Sequence, residues 1–171
     1  MASIQFKEIQ LQSPNPAIYT TPFTFRIAVD VLDPLEEDME VCFLWVTGPS
    51  ISDEQTLTEL VIGPLQLGTC EFVAHVPPPR WQDIPTYDIL AAALLLVSLR
   101  YSNKEFLRVG YWVLVAYVHD EDNMVPPQTI CIDRIGRTLC QNPTVHTYNA
   151  NWGHDVLMEG GLAYDTCRCK K

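Results

Sequence analysis

His119-Asp120, His154-Asp155, the carboxylate pair Glu37 and Asp38, and the Cys167-x-Cys169 pair are the places where residue types and spacing could do chemistry. A histidine beside an acid is raw material for proton transfer, but residues adjacent in sequence rarely hold the mutual geometry that general acid/base catalysis needs. Both His-Asp pairs sit in polar segments and read as surface histidines. Two neighbouring carboxylates can bind a cation or do acid/base work. Glu37 and Asp38, however, lie in a run of five acidic residues between Asp33 and Glu40, and a solvated, partner-facing loop is the simpler reading. Cys-x-Cys is half of a zinc site, and no second pair stands at ligand spacing. Gly-x-Ser-x-Gly, a phosphate-cradling glycine loop and His-Glu-x-x-His are all missing, and only eight glycines are present to build such loops. The expectation is a protein that is not an enzyme and that carries no metal and no cofactor.

Arg108 is different in kind. It lies in EFLRVGYWV, residues 105–113, among aliphatic and aromatic neighbours, where a guanidinium needs a partner or an exit to water. The surrounding stretch reads as a β-hairpin with arms at 89–101 and 106–117 and a polar turn at Ser102-Asn103-Lys104. The first arm, ILAAALLL, also suits a helix, because a continuous apolar run shows no diagnostic period; strand is the preferred reading.

The rest of the chain punctuates itself with Gly and Pro. Ile4-x-Phe6 and Ile9-x-Leu11 suggest a first strand, ended by Ser13-Pro14-Asn15-Pro16. Phe23, Phe25, Ile27, Val29 and Val31 alternate with Thr24, Arg26, Ala28 and Asp30, the period of a half-buried strand. Further strands are predicted at 41–46, 56–62 and 71–76, the last stopped by Pro77-Pro78-Pro79, which cannot donate ladder hydrogen bonds. Residues 119–124 suit a turn or short helix. Ile132, Ile135 and Leu139, with Arg134 and Arg137 between them, predict one short amphipathic helix, and 145–152 a last strand. Many short strands with little helix predict an all-β fold, an immunoglobulin-like β-sandwich with short helices in the loops. The core is expected over 1–155, with a short tail at 156–171.

At 171 residues and 47% hydrophobic the chain can bury one substantial core. Its net charge of -10 argues against a surface that grips nucleic acid directly. From residue 27 to 79 there are ten acids and no Lys or Arg, so one flank should be strongly negative and basic partners are favoured. No signal peptide is legible, and the longest uncharged apolar run, 89–99, is too short to span a bilayer; a soluble intracellular protein with no membrane partner is expected. Its six cysteines then read mostly as small buried hydrophobes.

Several of these segments together carry a resemblance: EFLRVGYWV, Gly63-Pro64 after Val61-Ile62, Ile84-Pro85 with Asp88, Pro126-Pro127, Asn142-Pro143-x-Val145 with Trp152, and the opening NP-x-x-Y-x-x-PF-x-F from Asn15. In this order and spacing the chain, to about residue 155, resembles the anti-silencing-function histone chaperone family. The resemblance implies an immunoglobulin-like sandwich, monomeric and nuclear, that holds one histone H3/H4 heterodimer and exchanges it with other chaperone complexes in nucleosome assembly and disassembly.

It also implies three surfaces. Histone H3 would be received around Leu94, with Asp88 and Arg108 at the borders and Val46, Glu54, Leu96, Tyr111 and Trp112 around them, an apolar anchor framed by orienting charges. The residues alone leave open whether Leu94 and Leu96 face a partner or the core. The histone H4 tail would add as a strand along Thr144, Val145, His146, Thr147 and Tyr148. Basic segments of transfer complexes would meet Glu37 and Asp38 beside Val29 and Ile62. The chain departs from the family at Trp112 and at Leu114, Val115 and Ala116, where polar residues are usual; at Leu94 and Ala92; and at Thr144 and Thr147, where arginines are expected. An immunoglobulin-like module with a non-histone partner is the alternative.

Overall fold

The computed structural model describes residues 3–149. Two antiparallel sheets enclose one core. The smaller holds β1 (Ile4–Leu11), β3 (Phe23–Val31) and β6 (Gly68–Val76) in the order β1-β3-β6. The larger runs β2-β9-β8-β7-β4-β5, from β2 (Ala17–Ile18) through β9 (Ile135–Leu139), β8 (Lys104–Tyr117), β7 (Ala92–Tyr101) and β4 (Met39–Val46) to β5 (Glu54–Ile62). Two short helices, α1 (Thr86–Ile89) and α2 (Asp120–Met124), lie in loops. This is the all-β, immunoglobulin-like sandwich with short helices in its loops that the turns predicted.

The alternation of β3 turns Phe23, Phe25, Ile27 and Val29 into the space between the sheets, in one core cluster with Phe43 and Trp45 of β4 and Leu95, Val97 and Leu99 of β7, and Val31 is buried at the end of the same row. Phe25 sits at the centre, its ring 5.6 Å from both Phe43 and Tyr111. Such tilted aromatic contacts add to the burial of apolar area that drives the two sheets together.

The hairpin of β7 and β8 turns on Ser102 and Asn103, with φ of 51° and 60°. Positive φ at both central residues is the type I′ requirement, and its twist matches the flanking strands. The first arm is strand only from Ala92; Thr86–Ile89 forms α1 instead. Residues 119–124, read as a turn or short helix, hold α2.

The helix expected across Ile132, Ile135 and Leu139 is not there. Ile132–Arg134 make a single 3-10 turn, and Ile135–Leu139 pair along the far half of β8 as β9. The reason is Arg137, which is nearly fully buried. Its Nη1 donates to the Tyr19 carbonyl at 2.9 Å, its Nη2 donates to that of Thr21, and its guanidinium lies 3.5 Å from the centre of the Phe23 ring. Ile135, Arg137 and Leu139 therefore form one inward face with period two. Asn15 fastens the strand from outside, its Oδ1 accepting from the Leu139 N–H and its Nδ2 donating to the Leu139 carbonyl.

β8 is the longest strand, and its edge away from β7 is shared. β9 covers Val113 to Tyr117, and β10 (Thr144–Thr147) covers Leu107 to Gly110. The last strand expected over 145–152 thus starts at Thr144 and ends at Thr147, with residues 150–152 outside the described range. The domain boundary expected at 155 and the Cys167-x-Cys169 and His154-Asp155 pairs also lie outside it.

Candidate protein-binding face

The larger sheet has an outer face whose composition follows from strand register. Cys42, Leu44 and Val46 of β4 stand opposite Ser98, Leu96 and Leu94 of β7, which stand opposite Arg108, Gly110 and Trp112 of β8. β5 extends the rows on one side with Glu59, Thr56 and Glu54, and β10 on the other with His146 level with Arg108 and Thr144 level with Gly110. The middle row is apolar and the outermost strands are polar or charged. Leu94 and Leu96 are absent from the buried core and partly exposed, so both side chains lie on the outer side of the sheet.

Gly110 shapes the centre. A Cβ there would rest in ordinary contact with Leu96 Cδ2 at 3.4 Å and Leu94 Cδ1 at 3.5 Å, so the two leucines lean over bare backbone. Trp112 stands beside them and is 60% exposed, a large apolar area left without cover on a strand whose other face is fully packed.

Arg108 has the partner it needs. Its Nε and Nη2 donate to Glu105 Oε1 and Oε2 at 2.8 and 2.7 Å, and Ser98 Oγ donates to the same carboxylate at 2.8 Å. Residues three apart on a regular strand face opposite ways. Here Leu99 pairs with Leu107 and Arg100 with Glu105, so Phe106 is the extra residue of a β-bulge, which re-aims Glu105 onto the outer face. The fork-to-fork pair is partly buried, with 24% and 15% of the two side chains exposed. It holds the guanidinium at the border of the apolar patch in a fixed pose.

Asp88 in α1 and Glu54 at the start of β5 lie toward the Leu94 end of the face, both in contact with water. Tyr111 does not belong with them. It is 4% exposed and turned into the core against Phe25, and burial pushes its phenol up to about 12. Neighbours on a strand point to opposite sides, so with Trp112 outward, Tyr111 is inward.

The five residues expected to receive an added strand are all exposed: β10 and Tyr148, whose N–H donates to the Phe106 carbonyl at 2.9 Å. β10 pairs with β8 on one side and with no other described strand, leaving an edge open to pairing.

Glu37 and Asp38 are exposed in the loop before β4, and Ile62 pairs with Met39 where β5 ends. Asp38 packs closely on Gly63, and a Cβ there would displace its exposed carboxylate. Val29 does not join this cluster. It is 0% exposed in the inter-sheet core on β3 and cannot touch a partner. Along β4, about 3.3 Å per residue sets Asp38 roughly 26 Å from Val46, so the acidic loop and the Leu94 patch occupy opposite ends of the sheet.

Among the described residues no group of His, Cys, Asp or Glu is placed to hold a metal ion, and no helix is long and apolar enough to cross a membrane. His119 lies with Asp120, Glu121 and Arg134 around an open depression. Missed in the sequence were Glu105 as the partner of Arg108, Leu44, and the role of Gly110. The glycine inside an otherwise bulky strand was the available signal.

A sandwich that presents an apolar, charge-bordered face and an open edge strand has the build of a protein-binding module. Comparison with known sequences narrows this: the ASF1 like histone chaperone family matches residues 1–153, and the chain belongs to that family. It is 34% identical over 143 residues to the histone chaperone ASF1 of Coccidioides immitis, covering 82% of this chain and 53% of that protein. It is likewise 34% identical over 143 residues to that of Candida glabrata, covering 82% and 47%. The figures for Saccharomyces cerevisiae are 32% over 143 residues, 82% and 51%. The chain spans about half the length of these curated relatives.

Proposed function

We propose that this protein is a nuclear histone chaperone that binds one H3/H4 heterodimer on the outer face of the larger sheet and exchanges it with other chaperone complexes. In this reading a helix of H3 seats an apolar side chain over Leu94, Leu96 and Gly110. Val46 and Trp112 widen the contact, while Asp88, Glu54 and Arg108 fix its orientation. The C-terminal tail of H4 adds to the free edge of β10 from Thr144 to Tyr148, where backbone bonds supply affinity and the alternating side chains supply selectivity. Basic segments of transfer complexes dock on Glu37 and Asp38 beside Ile62. No step requires catalysis or a cofactor, and the acidic chain neutralises a strongly basic cargo without competing for DNA directly.

The observation that carries this reading is the apolar patch of Val46, Leu94, Leu96 and Trp112 on the outer face, partly exposed and framed by charge, in a chain of this family. Mixing the protein with purified H3/H4 and measuring the mass of the eluted species tests it. A complex of one copy with one heterodimer is expected; separate elution of protein and histones at micromolar concentration overturns the reading.

A further inference from the structure

The apolar surface of β8 does not stop at Trp112. The outward residues that follow are Leu114, Ala116 and, just past the strand, Val118, and Leu114 and Val118 are 63% and 54% exposed. Leu114 pairs with Thr138 and Ala116 with Gly136 of β9, so two small residues are paired at this level. A Cβ on Gly136 would come within 3.2 Å of Val118 Cγ2, which places Val118 on the same outer face. Val118 therefore lies over Gly136, and Ala116 is a low point between Leu114 and Val118, with the exposed Thr138 beside Leu114. The ridge of Trp112 and Leu114 separates this low point from the bare backbone at Gly110. β7 begins at Ala92, level with Leu114, so no described strand encloses it from that side. The strip runs out at the exposed acids Asp120 and Glu121 of α2.

We propose that Trp112, Leu114, Ala116 and Val118 extend the binding face, taking a further aliphatic side chain from the helix that covers Leu94, with a cationic residue beyond it reaching Asp120 and Glu121. This rests on the reading of the outer face as the H3/H4 site. From Gly110 to Ala116 is about 20 Å at the rise of a strand, which a helix spans in roughly 13 residues. The partner therefore carries two apolar contacts on one helical face about four turns apart. A second copy of this chain is the poorer occupant, because each copy has a net charge of -10 and the strip ends on acids, so like charges would meet.

Titration calorimetry with purified H3/H4 separates this proposal from the reading beneath it. The proteins compared are the wild type, Leu94→Arg, the double variant Leu114→Asn/Val118→Asn, and Ala116→Gln, which fills the low point. All replaced side chains are at least partly exposed, and a thermal melt verifies each fold. The double variant should bind at least about tenfold more weakly, as expected for losing one buried aliphatic contact, and Ala116→Gln should lose affinity similarly. Unchanged affinity in both, with Leu94→Arg defective, overturns the extension alone. A wild type that does not bind H3/H4 overturns both readings. Sedimentation showing a wild-type dimer that the double variant abolishes would make the strip a self-contact, and overturns the extension.

Discussion

Arg108 is held in one pose on the outer face. Its charge sits at the margin of an apolar patch, and the bidentate contact to Glu105, itself held by Ser98, sets its direction before anything binds. Arg108→Glu reverses one charge and faces it against Glu105. It should weaken H3/H4 binding by about 2 to 5 kcal/mol with a smaller loss of thermal stability; unaltered affinity in the folded variant removes Arg108 from the site. Buried phenols give a second residue-scale test. Burial pushes Tyr19 and Tyr111 up to about 12, above the ordinary value near 10 that the unfolded chain shows. The folded state therefore keeps protons that the unfolded state releases. Stability from this source is fully present below pH 10 and is lost as pH rises to about 12, by roughly 2 to 3 kcal/mol per tyrosine. Arg137, lowered to about 10 by burial, acts with the opposite sign over the same window and offsets about one of them. Denaturation curves between pH 9 and 12 should show the net fall, and Tyr111→Phe should reduce it; a flat profile contradicts the burial.

At the scale of elements, legibility followed the period of the side chains. β3 could be read because five apolar residues alternate without a break, and that alternation already places Val29 beside Phe25 in the core. Val29 and Tyr111 share one physical reason for not facing a partner: strand parity turns both into the core, against what the resemblance implies. β9 reads as a helix in the sequence because Arg137 has the look of a helix's polar side. A buried guanidinium satisfied by two backbone carbonyls and an aromatic ring has no signature in a single sequence. The bulge at Phe106 was hidden likewise, and with it the Glu105–Arg108 pair. The separation of elements along β4 yields a prediction. Replacing Glu37 and Asp38 together with Lys should abolish docking of basic transfer-factor peptides and leave H3/H4 affinity within about threefold, since screening is largely complete over the intervening distance at physiological salt. Equal losses in both assays would place the acidic loop in the histone site.

At the scale of the whole molecule, the fold divides its labour between faces. The inter-sheet core supplies rigidity, the outer face of the larger sheet offers a partly exposed apolar patch, and the acidic loop and β10 edge lie at its margins. Leu94 is where this division is tested most directly, because an outward anchor and an inward core residue respond oppositely to a charge. Leu94→Arg should melt close to the wild type and lose at least about 2 kcal/mol of H3/H4 affinity, as a central contact does. A variant that loses several kcal/mol of stability would place Leu94 in the core instead. A folded Leu94→Arg protein that binds H3/H4 as tightly as the wild type would contradict the assignment of the outer face.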